Sequence, residues 1–211
     1  MRYVKLILIA LIVLIVGGFL HYTLPQHDVV RIVNTYQERQ DLSDWTSIFW
    51  SVPDDQAAGL ANRDVQFIQT VRPNGKSIVY RNEDTGWGWP PYFKFDTANL
   101  ATEASDAISN KDDPEWVMIT HYGWRSELLS IFPNAVRIKP VAGPEASVIP
   151  WVNILILTAL AIVLLLLRRM WLQFRERTID PLVEDMEDSW DAMDVKRQGA
   201  VARVKGWFKR K

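Results

Sequence analysis

His21, His27 and His121 are the histidines of a 211-residue chain that contains no cysteine. Beside them, the acidic clusters Asp54-Asp55, Glu83-Asp84 and Asp112-Asp113-Pro114-Glu115 are the side chains able to hold a metal or move a proton. Their spacing argues against either role. His21 and His27 do not share the i, i+4 step that puts two helical ligands on one face. None of the acidic clusters repeats the D-x-[DN]-x-[DN]-G pattern of a calcium loop. A pair of carboxylates does not make a glycosidase unless the two flank a sugar cleft. Ser126 follows Gly-Trp-Arg rather than forming a G-x-S-x-G elbow, and no phosphate-binding glycine loop occurs. The absence of cysteine excludes disulfides, thiol nucleophiles and iron–sulfur clusters. The expectation is a protein that is not an enzyme and carries no cofactor or metal.

The most unusual stretch is Gly86–Phe95, GWGWPPYFKF, in which five of ten residues are aromatic. Pro90-Pro91 keep such a segment extended, and Gly86 and Gly88 let it turn tightly. As a lid on a small core it would bury Trp87, Trp89, Tyr92 and Phe93. As an interaction surface it would turn rings toward a partner protein, an envelope sugar or lipid headgroups, where aromatics bring large apolar area at low entropic cost. The expectation is mixed, with one or two rings in the core and at least one Trp exposed. Candidate interaction residues are Trp87, Trp89, Tyr92 and Phe93, together with Trp124 and Arg125 from the later Gly-Trp-Arg turn.

The elements that position these residues begin with two apolar runs. Leu6–Leu20 follows a basic start containing Arg2 and Lys5 and lacks an A-x-A-like cleavage site, so it reads as an uncleaved signal anchor over 6–24. Val148–Leu167 is a full-length span whose Leu, Ile and Val content favours insertion by about −5 kcal/mol. Tyr3, Tyr22, Trp151 and Trp171 flank the two runs as interfacial aromatics do. Lys and Arg cluster before the first run and after the second, which places both termini in the cytoplasm by the positive-inside rule. Residues 1–5 are then a short cytoplasmic start, and residues 25–147 form an extracytoplasmic domain, periplasmic in a Gram-negative cell. That segment holds 17 acidic and 11 basic residues, net −6. Nucleic acid is an improbable partner for so acidic a surface, because phosphate binding needs clustered positive charge.

Within the domain, strands are expected over 28–36, 64–71, 76–81, 115–122 and 135–141, with a helix over 96–109 and a short one over 126–132. Asn74-Gly75 between two alternating runs signals a hairpin whose turn residues accept positive φ. The order strand, strand, strand, helix, strand, strand is that of a small five-stranded OB-like barrel. The fold class is therefore α+β, with two transmembrane helices flanking that barrel. Residues 168–211 read as a cytoplasmic amphipathic helical tail. Its last part sets Trp207 and Phe208 among Lys209, Arg210 and other cations, a pattern suited to contact with the membrane surface.

The pieces NEDTGWGWPPYFKFD (Asn82–Asp96) and THYGWRSELLSIFPNAVRIKP (Thr120–Pro140) resemble DUF1523, a family of uncharacterised bacterial membrane proteins found mainly in the Rhodobacter group of alphaproteobacteria. The resemblance covers most of residues 1–147, including the anchor followed by HDVVRI. It implies an inner-membrane location and no activity, so no catalytic residue is carried over. The apolar stripes left without a core, and the polar Asn153 within the second run, point to a non-enzymatic protein that binds a protein partner. It would act as an accessory or assembly subunit of a larger membrane complex, or self-associate as a homo-oligomer, with membrane lipid as its surroundings. The alternative is an envelope module recognising cell-wall sugar or lipid through residues 86–95.

Overall fold

The computed structural model describes residues 2–41, 49–50, 62–183, 185–186, 190 and 193. It divides into two compact units, Met1–Asn153 and Ile154–Lys211. The candidate membrane-surface residues Trp207, Phe208, Lys209 and Arg210 lie outside the described residues.

Helix α1 runs Arg2–Thr23 and leads through Leu24-Pro25 into the long strand β1, Gln26–Asp41. Strands β2 (Asn62–Val71) and β3 (Ser77–Asn82), helix α2 (Thr97–Asp106), and strands β4 (Trp116–Tyr122) and β5 (Asn134–Pro140) follow in the expected order. The early part of β1 pairs with β4 and the later part with β2, both antiparallel, with a register shift between Ile32 and Asn34. Antiparallel β2–β3 and β4–β5 ladders and a parallel β3–β5 bridge complete the set. The pairing order β1–β2–β3–β5–β4 thus returns to β1.

Alternation explains the core. Val30 and Ile32 of β1, Ile78 and Tyr80 of β3, and Val117 and Ile119 of β4 each stand two apart, so each pair points to one face. Ile68 and Ala135 join them, and α2 covers them with Leu100 and Ala104, one helical turn apart. Asp96 caps α2 through its carboxylate, which accepts from the Asn99 amide at 3.1 Å. Phe67, adjacent to Ile68, faces the other way into a smaller cluster with Trp50 and Val65.

The β3–β5 closure rests on a single register pair, Arg81 and Asn134. The fully buried Asn134 supplies what the backbone does not. Its Nδ2 donates to the Glu83 carbonyl at 2.9 Å and its Oδ1 accepts from the Glu83 amide at 3.0 Å, as a peptide group would.

Two local expectations are corrected. The β2–β3 hairpin is present, but its tip is a three-residue loop, Pro73-Asn74-Gly75. The Arg72 amide bonds to Lys76 across it, and of the Asn-Gly pair only Gly75 has positive φ. Residues 126–132 do not form a helix. Ser126 and Ile131 bond to each other in both directions across a tight turn, and Ser130 takes a left-handed φ of 49° there, which breaks helical geometry.

Helix α3 runs Trp151–Phe174, starting just after Pro150, and continues through a π-turn at Arg175–Ile179 into a helix that reaches Val183. It does not stop at Arg168-Arg169, because long basic side chains are good helix formers. Both α1 and the α3 helix are long and apolar enough to cross a membrane.

Candidate functional site

The C-terminal end of α1 is built into the domain. Thr23 Oγ1 donates to the Phe19 carbonyl at 2.9 Å, and Gln26 Nε2 donates to the His21 carbonyl at 2.9 Å, so the last turn is closed by side chains. Tyr22 is the one residue of α1 that is fully buried. Its ring is surrounded by Phe49, Tyr92 and Trp124 at centroid distances of 5.8, 5.6 and 5.3 Å. The Gly123 amide donates to the Tyr22 carbonyl at 3.0 Å, and the Trp124 indole N–H donates to His21 Nδ1 at 2.8 Å. Gly123 has φ +86°, and a Cβ there would come within 2.9 Å of the Tyr92 hydroxyl, so both backbone and space demand glycine.

The aromatic stretch 86–95 is a closed loop. The amides of Thr85 and Gly86 both donate to the Lys94 carbonyl at 3.0 Å, pinning its base. Beyond the cis Trp89–Pro90 bond its side chains alternate. Tyr92 and Lys94 point inward, 2 % and 3 % exposed, while Phe93 and Phe95 point outward. Trp87 is 80 % exposed and gathers those two rings at 5.6 and 5.5 Å, making an apolar triad on the surface. Phe93 sits at φ 50°, a conformation that costs a non-glycine residue about 1 kcal/mol or more, so the outward ring is held against strain. Trp89 turns instead to α1 and stacks on Phe19 at 6.0 Å. Arg125 is tied back into its own turn, over the Phe132 ring at 4.5 Å and bonded to the Ser126 and Ile131 carbonyls.

Two polar networks within the domain were not apparent from sequence. In the first, Asp28 Oδ2 accepts from Tyr80 at 2.6 Å, Arg72 at 2.7 Å and His121 Nε2 at 3.2 Å. Burial alone would raise the Asp28 carboxyl, but these donors outweigh it and hold it well below the usual carboxylate range. Burial and the Asp28 charge push the Tyr80 hydroxyl far above its ordinary value. The pair is thus a fixed anion and a fixed donor, suited to bracing the strands. In the second, Lys94 Nζ donates to Asn82 Oδ1, and Asn82 Nδ2 bonds to Gln66 at 3.1 Å and the Thr97 carbonyl at 2.9 Å. Burial pushes the Lys94 ammonium down to about 7 despite the nearby carboxylates of Asp84 and Glu83. The one sequence signal for that inward lysine is the alternation from Tyr92 to Phe95.

A groove of about 650 Å³ opens among α2, the start of β4 and the end of β5. Trp116, Ile138 and Val141 give it an apolar floor, and Glu103, Asp106 and Glu115 line it with negative charge and no basic residue. A smaller cavity of about 220 Å³ lies beside Gln66, Asn82 and Ser105. Among the described residues no group of three His, Asp or Glu side chains is arranged to hold a metal ion. In the first unit, Asn153 uses its side-chain amide on the Pro25 carbonyl at 2.9 Å.

A family model described as a protein of unknown function, DUF1523, matches residues 1–175. An uncharacterized protein of Haemophilus influenzae is 35 % identical over 156 residues, which cover 71 % of this chain and 84 % of that protein. No solved structure matches the chain.

Proposed function

The chain belongs to the DUF1523 family; we propose that it is a non-enzymatic inner-membrane protein that binds a protein partner, as an accessory or assembly subunit of a larger membrane complex. In this reading α1 and α3 cross the bilayer with both termini cytoplasmic, and the five strands form an OB-like barrel in the periplasm. The observation that supports it best is the groove beside α2. An apolar floor with three carboxylates and no basic residue suits an apolar segment of a partner that carries Lys or Arg. The joint at Tyr22 favours the same reading, since it holds the domain at a set orientation on α1, as a scaffold requires. The sugar-binding alternative is weakened by the aromatic loop itself. Trp87 packs with Phe93 and Phe95 while Trp89 faces Phe19, so the two indoles do not pair across a polar cleft.

The test is native-size analysis of tagged protein, expressed at its normal level and extracted in mild detergent, with mass spectrometry of co-migrating chains. A defined large assembly is expected. It should dissociate in the triple variant Glu103→Gln, Asp106→Asn, Glu115→Gln. A monomer or homo-oligomer without companions in the unmutated protein defeats the proposal.

A further inference from the structure

Phe19 and Gly18 belong to the apolar stretch of α1, about 6–8 Å short of the helix end at a rise of 1.5 Å per residue. Two domain side chains reach down to that level. Trp89 stacks on Phe19, and Trp124 Cη2 lies 3.8 Å from where a Gly18 Cβ would stand. The domain therefore does not stand clear of the helix on a linker; its aromatic loop overlaps the last apolar turn. The triad of Trp87, Phe93 and Phe95 leaves the same closed loop and is exposed, with Asp84 and Asp96 at the ends of the loop. Amphipathic and aromatic rings at that depth are favoured in the headgroup region, where apolar area leaves water and the indole N–H stays hydrated.

From this continuity we infer that Trp87, Phe93 and Phe95 insert into the outer interface of the bilayer around α1, giving the domain a second attachment to the lipid. The inference rests on α1 crossing a membrane. The occupant of the aromatic surface is lipid, and the acidic groove remains open to the protein partner. A bilayer contact also accounts for the strained Phe93: its φ of 50° turns the ring outward beside Trp87 in a place where water would otherwise meet it.

The cysteine-free sequence allows a direct test, because any introduced thiol is unique. Trp87→Cys and Phe95→Cys are each spin-labelled in full-length protein reconstituted into nanodiscs of phosphatidylethanolamine and phosphatidylglycerol. Each variant leaves the other two rings in place. Leu8→Cys within α1 and Asp112→Cys, beyond the far end of β4, serve as references. Collision with oxygen relative to a water-soluble nickel chelate reports depth. The expected result is a several-fold higher oxygen-to-nickel ratio at positions 87 and 95 than at 112, approaching that at 8. If 87 and 95 match 112 while 8 remains lipid-like, the insertion is disproved and the span stands. If 8 also matches 112, the spanning reading falls and takes the insertion with it.

Discussion

The indole N–H of Trp124 donates to Nδ1 of His21 across 103 residues of sequence at 2.8 Å. For that bond to form, Nδ1 must offer its lone pair, which places the ring proton of a neutral His21 on Nε2. One side chain of the domain thus sets both the orientation and the tautomer of a residue in the last turn of the first apolar helix. The adjacent Gly123–Tyr22 backbone bond makes this a two-point joint.

Trp124→Phe should loosen that joint without emptying the aromatic cluster around Tyr22. Loss of one neutral hydrogen bond costs about 1 kcal/mol. Hydrogen exchange at the Gly123 amide, which bonds to Tyr22, should accelerate about fivefold on that figure, with exchange in the β2–β3 ladder unchanged. Equal acceleration in both would mean that the variant acts on global stability rather than on the joint.

Asn134→Ala should be among the most damaging polar truncations in the domain. It removes the two side-chain hydrogen bonds made to the Glu83 backbone at the closure between β3 and β5. The expected loss is about 2–4 kcal/mol, from two buried hydrogen bonds at about 1–3 kcal/mol each, partly relieved by relaxation. Thermal unfolding of the detergent-solubilised protein measures it, with Asn134→Gln expected to recover little because the longer amide cannot meet both groups.

Asp28→Asn should destabilise by about 2 kcal/mol, since three donors lose a charged acceptor. The folded Asp28 carboxyl binds a proton less readily than the unfolded one. Its contribution is therefore complete above the ordinary carboxylate range and lost as pH falls through and below that range. The variant should accordingly match wild type in stability at low pH and fall behind it near neutrality. A constant gap across pH would show that the charge is not what Asp28 supplies.

Lys94 gives a slope of the same sign in a higher pH window. The folded ammonium loses its proton near 7, whereas the unfolded one keeps it to the ordinary lysine value. Between these limits the unfolded chain binds more protons, so stability rises with pH, by at most about 1.4 kcal/mol per unit from this group. Lys94→Met removes that slope. Relative to wild type the variant should be more stable at pH 6 and lose that advantage progressively as pH rises toward the ordinary lysine value. Parallel unfolding curves for the two proteins over that range would contradict a buried, destabilised ammonium.

The elements were legible because their signals are local. The two apolar runs, the alternation in β2 and β4 and the Asp96 cap each need only neighbours a few residues away. The strand order followed from the same signals, as did the family resemblance in Asn82–Asp96 and Thr120–Pro140. What stayed hidden depended on partners distant in sequence. The helix expected at 126–132 has suitable composition, yet Ser126 and Ile131 close on each other, with Arg125 anchored over Phe132. The aromatic content of 86–95 was plain, but not which rings would turn where.

The sequence by itself determined that this chain carries two helices apolar enough for a membrane around a small domain of strands, since hydrophobic periodicity is written residue by residue. Only the tertiary structure decided that Tyr92 and Lys94 face inward, that Trp89 and Trp124 grip α1, and that Asp28 receives donors 44 and 52 residues away. The physical reason is that burial, and the hydrogen bonds that make it tolerable, belong to pairs of surfaces; no pattern along one strand specifies what the opposite surface will bring.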